Sequence, residues 1–592
     1  MGRQDSQNTP EYDGVSGADD GRSPAGRASV PPAASPVTPA PPRPGGTTYG
    51  RASVPAGEQA QPPRPAQEAQ LSPPVTPAAS PTGQPGGPAP SPADPAAGWP
   101  AAAQPGTGNS RRTVGLSVLA ALVLIVVAAA GVLVVRPGPV AGWLAAEPTA
   151  RPTVAPTPDP TPTPVLAAAD DTGTTPTTAG VTAAITPLLT AGPLGPRVNV
   201  SIVDAATSDT LFEQNPDTMT TPASTTKLLT AATVLAARGP AYRLATRAVA
   251  GAQPGEVVLI GGGDPTLAVN ARDQFPGAAR LDKLAGQVKK ALGGQEPSKV
   301  TVDVSLFQGP LTAPGWDGDV IGGGQVSKIQ PLMTNAGRIR PVHNEFGGDP
   351  RFDDPALAAG RAFAKQLGVS QGAVRKGQAP PAVESTAPSA GASAAPEAAP
   401  APGAELGKVE SPPLVHVVDW MLEQSDNVIA EVLARQVALA ADQEASFAGA
   451  AEAMLGKIGE LGLPAGEATL SDASGLSRRN KVSPSLLTDV LALAASGEHP
   501  ELTGMFGGLP VAGWSGTLRS RFVTPSPNRI GQGLVRAKTG TLTGINTISG
   551  QLVTADGRLL VFAIMADATG DTVLARQALD KIAAKLVTCG CT

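Results

Sequence analysis

The chain has 592 residues, of which 64 are proline and 69 are glycine, with aromatic residues at only 3%. That composition excludes a uniformly globular chain and points to low-complexity tracts beside one or two compact domains. A net charge of −5 is too mild for a nucleic-acid partner, and two cysteines at the extreme C-terminus, Cys589 and Cys591, can neither staple a core nor build a zinc site.

Residues 1–112 are rich in Pro, Ala, Gly and Ser, lack a hydrophobic period and read as a disordered tail. From Thr113 to Val135 no residue is charged, a run of 23. As a helix rising about 1.5 Å per residue, that run is long enough to cross a bilayer. More than a hundred residues precede it, which argues against a cleaved signal peptide. Arg111 and Arg112 flank its near side, more arginines lie in the tail, and only Arg136 closely flanks the far side. The bias places the N-terminus in the cytoplasm and the rest of the chain outside the cell membrane. Residues 136–166, with "EPTARPTVAPTPDPTPTPV", follow as a Pro/Thr-rich stalk that polyproline geometry makes semi-rigid.

Folded periodicity starts near residue 167. "VTAAITPLLT" predicts a short helix, and "RVNVSIVDAATSDTLFEQN" two strands around a turn at Ala206–Ser208. "TPASTTKLLTAATVLAARGP" predicts a helix with Leu228, Leu229, Ala232, Leu235 and Ala236 on one face, stopped by Gly239-Pro240. Residues 241–376 mix strands with glycine turns, and 377–410 read as a low-complexity surface loop. Helices resume with "LVHVVDWMLEQSDNVIAEVLARQVALAA". Three strands follow in "GLVRAKTGTLTGINTISGQLVTADGRLLVFAIMA", with turns at Leu542–Gly544 and Ala555–Gly557, before a closing amphipathic helix. The expected fold is α+β: a core of antiparallel strands with flanking helices, formed by 167–240 and 411–592, interrupted by an inserted strand-rich accessory region.

Three short motifs carry chemistry. Ser224 and Lys227, at i and i+3 where a helix begins, share one face within side-chain reach. Ser425-Asp426-Asn427 falls at the break between two helical stretches, and Lys538-Thr539-Gly540 lies on a strand. Each motif alone has a plainer reading: a helix N-cap at Ser224, a capping triplet, an edge-strand lysine. Together, in order and each in a suitable element, they make a nucleophile site. A serine hydroxyl must lose its proton to attack a carbonyl, and its base must be neutral to accept it. Burial and a second positive charge both disfavour the ammonium form of a lysine. Lys227 is thus the expected base and Lys538 the cation that holds a substrate carboxylate. Ser425 is the expected proton relay to the leaving amine, and Asn427 the partner of a substrate amide. The backbone N–H groups of Ser224 and Thr541 are candidate oxyanion donors. Gly540, lacking a Cβ, is expected to let substrate lie against the strand. No metal or cofactor enters this scheme.

The motif set resembles the penicillin-recognising serine enzymes. More narrowly, the long gap between Ser224 and Ser425 resembles the D-alanyl-D-alanine carboxypeptidases/endopeptidases of the penicillin-binding protein 4 type. The phrases "GGGDPTL", "VDVSLF", "SDASGLSRRNKVSP" and "GTLRSRF" resemble that family too. The resemblance implies a transpeptidase/β-lactamase-like core and hydrolysis of the terminal D-Ala-D-Ala bond of peptidoglycan stem peptides through an acyl-enzyme on Ser224. Some relatives instead cut D,D-crosslinks, and β-lactams act on such enzymes as inhibitors. A β-lactamase would need a water-activating glutamate. Glu460 and Glu467 fall in the right interval, but their neighbours do not resemble that loop. A membrane-anchored β-lactam sensor would need a signalling domain, which residues 1–112 do not offer, and the intact motif set speaks against a silent wall-binding scaffold.

Overall fold

The computed structural model describes residues 173–272, 274–343, 348–382 and 400–589. The tail, the uncharged run at 113–135 and the stalk lie outside the described residues, among which no helix is long and apolar enough to cross a membrane. Of the two units into which the chain divides, every described residue belongs to the second, 150–592.

The second unit opens with helix α1 (Thr178–Leu189), whose N-terminus is capped by the Thr177 hydroxyl. Strands β1 (Val198–Asp204) and β2 (Thr210–Gln214) form an antiparallel hairpin. A single 3₁₀ turn, Ala223–Thr225, leads into α2 (Thr226–Arg238), which Gly239 stops with a backbone bond to Leu235. The sequence pattern gives α2 one apolar face, yet the helix is buried all round from Thr226 to Leu235. Its three threonines tolerate this because their hydroxyls bond to backbone carbonyls: Thr226 to Ala223, Thr230 to Ala473 and Thr233 to Leu229.

The inserted region is a domain with its own sheet. It runs through β3 (Ala245–Ala250), β4 (Glu256–Ile260), α3 (Leu281–Ala291), β5 (Lys299–Asp303), α4 (Pro355–Leu367), β6 (Val374–Lys376) and β7 (Glu405–Glu410). The strand order is β6-β5-β4-β3-β7, parallel where α3 and α4 make the crossovers and antiparallel elsewhere. Strand β7 corrects the expected loop: the low-complexity stretch does not run through to 410, because Glu405–Glu410 pair with β3 as an edge strand. Leu284 and Val288 of α3 and Phe363 of α4 pack on Val257, Leu259, Val300 and Val302 as a separate core.

The chain then returns to the first sheet through α5 (Leu414–Glu423), α6 (Asn427–Ala440), α7 (Phe447–Glu460), the short pair β8 (Ala468–Thr469) and β9 (Lys481–Val482), and α8 (Pro484–Ser496). Strands β10 (Val535–Leu542), β11 (Ile545–Val553) and β12 (Leu559–Ala566) precede the last helix, α9 (Thr572–Val587). This sheet is antiparallel throughout, in the order β10-β11-β12-β1-β2. Strand β12 shows why it sits between two layers. Val561, Ala563 and Met565 face the cluster of α2, α5, α6, α7 and α8, whereas Leu560, Phe562, Ile564 and Ala566 face α1 and α9. The period-2 alternation buries both faces, and each fully buried large apolar side chain contributes roughly 1.5–3 kcal/mol. Cys589, after α9, is buried and disulfide-bonded.

Candidate active site

The central question at the start of α2 is what the Ser224 hydroxyl does. It does not cap the helix. Ser224 lies on the 3₁₀ turn ahead of α2, the capping position falls to Thr225, and neither side chain bonds a helix N–H there. The Thr225 hydroxyl turns back to the Pro222 carbonyl at 2.7 Å. Ser224 Oγ instead accepts from Lys227 Nζ at 3.2 Å.

Two glycines lie close against this turn. A Cβ on Gly540 would lie 2.6 Å from the Pro222 carbonyl oxygen, 3.0 Å from Ser224 N and 2.2 Å from Thr547 Oγ1. A Cβ on Gly475, whose φ is +82°, would lie 1.8 Å from the Ala223 carbonyl oxygen. Gly540 therefore differs from its sequence-based expectation. The room it provides is taken by the backbone of the nucleophile turn, which Thr547 also bonds through Pro222 at 2.8 Å. Strand β10 and the 471–480 loop thus fix Ser224 by its main chain.

Lys227 is fully buried, and its Nζ donates to Asn427 Oδ1 at 2.7 Å and to the Ser474 carbonyl at 2.6 Å as well as to Ser224. Burial pulls its pKa down to about 8, although Asp472, Glu431 and Asp426 pull the other way. At pH 7 such a group is neutral in about one molecule in ten, against fewer than one in a thousand for an exposed lysine. Lys538, on β10, donates to Ser425 Oγ at 2.9 Å and to the Thr539 carbonyl at 2.8 Å. It too is fully buried, and burial together with the charge of Lys227 holds it well below the ordinary lysine range. The second-charge effect thus acts on Lys538. Both effects disfavour its ammonium form.

Ser425 reaches Lys538 from a left-handed backbone, φ +54°, a conformation that costs a non-glycine residue of order 1–3 kcal/mol. What holds it is the next residue. Asp426 caps α6 by accepting from the N–H groups of Val428 and Ile429 at 2.9 and 3.0 Å. Its other oxygen accepts from Arg338 Nη2 at 2.7 Å, and Arg338 Nε donates to Asp349 at 2.6 Å. Both carboxylates and the guanidinium are buried, and the neighbouring cations Arg338 and Arg351 overcome burial to keep the Asp426 carboxyl far below the usual range. The capping reading and the site reading of Ser-Asp-Asn therefore coexist. Asp426 caps, while Ser425 and Asn427 point into the site. Asn427 also donates Nδ2 to the Gln325 carbonyl at 2.8 Å, so both ends of its amide are already engaged.

Sequence reasoning gave no role to Arg338, Asp349, Gln325, Ser474 or Glu431. Ser474 acts through a backbone carbonyl, which no residue type announces. Glu431 had a signal: a charged residue inside the apolar run of α6. It is buried, pushed up to about 8 by burial and by Asp472, and it accepts from the N–H groups of Ala473 and Ser474, which aims the Ser474 carbonyl at Lys227. Glu460 pairs with Lys457, and Glu467 bonds Ser483 and Ser485; neither lines the site.

Above this arrangement opens a cavity of about 570 Å³. Ser224, Ser425, Asn427, Thr539 and Thr541 line it, Gln325 and Arg338 of the insertion form part of its wall, and Trp514 stands at it with 78% exposure. Lys227 and Lys538 lie behind the lining. A hydroxyl at a fixed main-chain turn, a buried lysine of lowered basicity and a second serine–lysine pair can carry out acyl transfer, and their setting between an antiparallel sheet and a helical layer is that of a penicillin-recognising serine enzyme.

The D-Ala-D-Ala carboxypeptidase 3 (S13) family matches residues 181–386 and 351–586. A carboxypeptidase of Mycobacterium tuberculosis is 39% identical over 427 residues, 71% of this chain and 87% of that protein. Carboxypeptidase DacB of Mycolicibacterium smegmatis is 37% identical over 421 residues, 70% of this chain and 86% of that one. The structure of penicillin binding protein 4 from Haemophilus influenzae shares the fold, with a TM-score of 0.52 at 22% identity, over 68% of this chain and 98% of that one. The chain belongs to the D-Ala-D-Ala carboxypeptidase 3 (S13) family, as a carboxypeptidase of the penicillin-binding protein 4 type.

Proposed function

We propose that the protein is a membrane-anchored serine D,D-peptidase that removes the terminal D-alanine of peptidoglycan stem peptides through an acyl-enzyme on Ser224. The observation that carries this reading is the 3.2 Å contact between the buried Lys227 Nζ and Ser224 Oγ at the cavity wall, with the lysine drawn down to about 8. The neutral fraction of Lys227 takes the Ser224 proton as Oγ attacks the penultimate D-alanine carbonyl. The Ser224 and Thr541 N–H groups receive the oxyanion. Ser425, bonded to Lys538, passes a proton to the departing amine of D-alanine. Water then enters by the reverse route and frees the shortened peptide. Asn427 joins Lys227 to the insertion through its two amide ends and offers its remaining valences to a substrate amide. Thr539 and Gly540 hold the strand against which the peptide end lies.

β-Lactams would acylate the same serine as substrate mimics. The name of the Haemophilus relative supports this, and a long-lived adduct would separate a peptidase from a β-lactamase. The uncharged run at 113–135 and the arginine-rich tail support anchorage with the catalytic region outside the membrane, and the stalk would hold that region within reach of the wall. The test is D-alanine release from a stem pentapeptide. The wild type should release it and Ser224→Ala should not; full release by the variant would overturn the nucleophile. Product masses from intact wall fragments would show whether D,D-crosslinks are cut as well.

A further inference from the structure

Acylation moves a proton from the Ser224 hydroxyl, at the cavity wall, to Lys227, which is fully buried. The Ser224 O–H bond breaks, an N–H bond forms on Nζ, and the freed oxygen pair attacks the carbonyl. The buried lysine thereby gains a charge away from water, which is costly unless a fixed counter-charge meets it. Three carboxylates act on Lys227: Asp472, Glu431 and Asp426. Two of them are committed elsewhere. Asp426 caps α6 and pairs with Arg338 at 2.7 Å. Asp472 accepts from the N–H groups of Gly475 at 2.9 Å and Ser477 at 2.7 Å, and from Asn480 Nδ2 and the Trp316 indole, each at 2.7 Å.

Glu431 is the less committed carboxylate. It follows Asn427 by one turn of α6 and shares its face, and Asn427 itself accepts from Lys227 Nζ at 2.7 Å. Glu431 is 1% exposed, and its Oε1 accepts from the N–H groups of Ser474 at 2.9 Å and Ala473 at 3.2 Å. The Ser474 carbonyl, on the next peptide, accepts from Lys227 Nζ at 2.6 Å. Arg435 stands 3.8 Å from the Glu431 carboxylate and is engaged elsewhere: its Nη1 donates to the Glu431 carbonyl at 2.8 Å, and its guanidinium lies 4.1 Å from the centre of the Phe447 ring. The charged groups that face Glu431 are thus Arg435 from its own helix, Asp472 from the 471–480 loop and Lys227 from α2. Burial and Asp472 push the Glu431 carboxyl up to about 8 while burial draws Lys227 down to about 8, so the charge of each depends on the other.

We propose that Glu431 is a positioning residue for acylation: it fixes the Ser474 carbonyl on the base and, as a carboxylate, balances the ammonium that Lys227 becomes. The assignment rests on the D,D-peptidase reading above. Glu431 does not line the cavity, so it acts through Lys227 and not on the substrate.

The test follows D-alanine release from a stem pentapeptide by the full chain, as kcat/KM from about pH 5 to about pH 10. Glu431→Gln keeps an oxygen for the Ser474 N–H but carries no charge. Without the negative charge the Lys227 ammonium is less stable, so its pKa falls and the acid limb of the profile should move down by about one pH unit. Activity near pH 6, relative to the plateau, should then rise about 3- to 10-fold, while the plateau falls about 3- to 10-fold because the base is weaker. Glu431→Asp keeps the charge but sets it one methylene back; it should keep the wild-type limb and lower the plateau. An unmoved or raised limb in the Gln variant would overturn the charge role, since a merely structural clamp does not move the limb. A fully wild-type profile in the Asp variant would overturn the positioning role, and it reads out even where the Gln variant does not fold. A wild type that releases no D-alanine would instead bring down the peptidase reading beneath.

Discussion

The molecule carries two five-stranded sheets that divide its work unequally. The first, β10-β11-β12-β1-β2, is antiparallel and buried on both faces, and the segments around it supply every group proposed for the chemistry. The second, β6-β5-β4-β3-β7, is mixed, packs its own core against α3 and α4, and contributes none of those groups. Yet the insertion is not a passenger. The stretch between β5 and α4 sends Gln325 to Asn427 and Arg338 to Asp426, so the Ser-Asp-Asn turn is held from outside the core. The core provides the reacting groups, and the insertion provides part of their frame.

That division can be broken in order of expected effect. Lys227→Met keeps the volume of the side chain and removes the base, and should slow acylation about 100- to 10,000-fold, read as D-alanine release, with the fold retained. Arg338→Ala leaves Asp426 buried without its cation and should cost about 3–5 kcal/mol in urea unfolding, together with slower acylation. A variant that lost stability but kept full acylation would separate the insertion from the site. The pH profile is a milder probe. Lys227 acts as base only when neutral, so kcat/KM should rise about tenfold per unit below pH 8 and level off above it. Smallest of all, Lys299→Ala removes a half-exposed bridge to Glu256 on the second sheet. It should change stability by less than about 1 kcal/mol and leave D-alanine release untouched.

How much of this was legible in the sequence follows from the range of each interaction. The first sheet was readable because its strands alternate and its turns carry glycine, as at Gly544 and Gly557, both with positive φ. The three motifs were readable because their residues belong to a recognisable chemistry. Strand β7 was not, since it is an edge strand with mostly exposed side chains at the end of an Ala/Pro tract, and only its pairing with β3 defines it. Nor was the Arg338–Asp426–Asp349 group, whose members lie on segments far apart in the chain and share no local period. Gly540 was recognised as special for a reason that the structure changes: the close approach is by Pro222 and Ser224 of the same chain.

The central claim is that Ser224 is the nucleophile and Lys227 its base. The most direct measurement is intact-mass and peptide-mapping spectrometry of the protein after exposure to penicillin, alongside Ser224→Ala. The account predicts a persistent adduct of one intact β-lactam on the peptide containing Ser224, absent from the variant. An adduct mapped to another serine, or one retained in the variant, would contradict it.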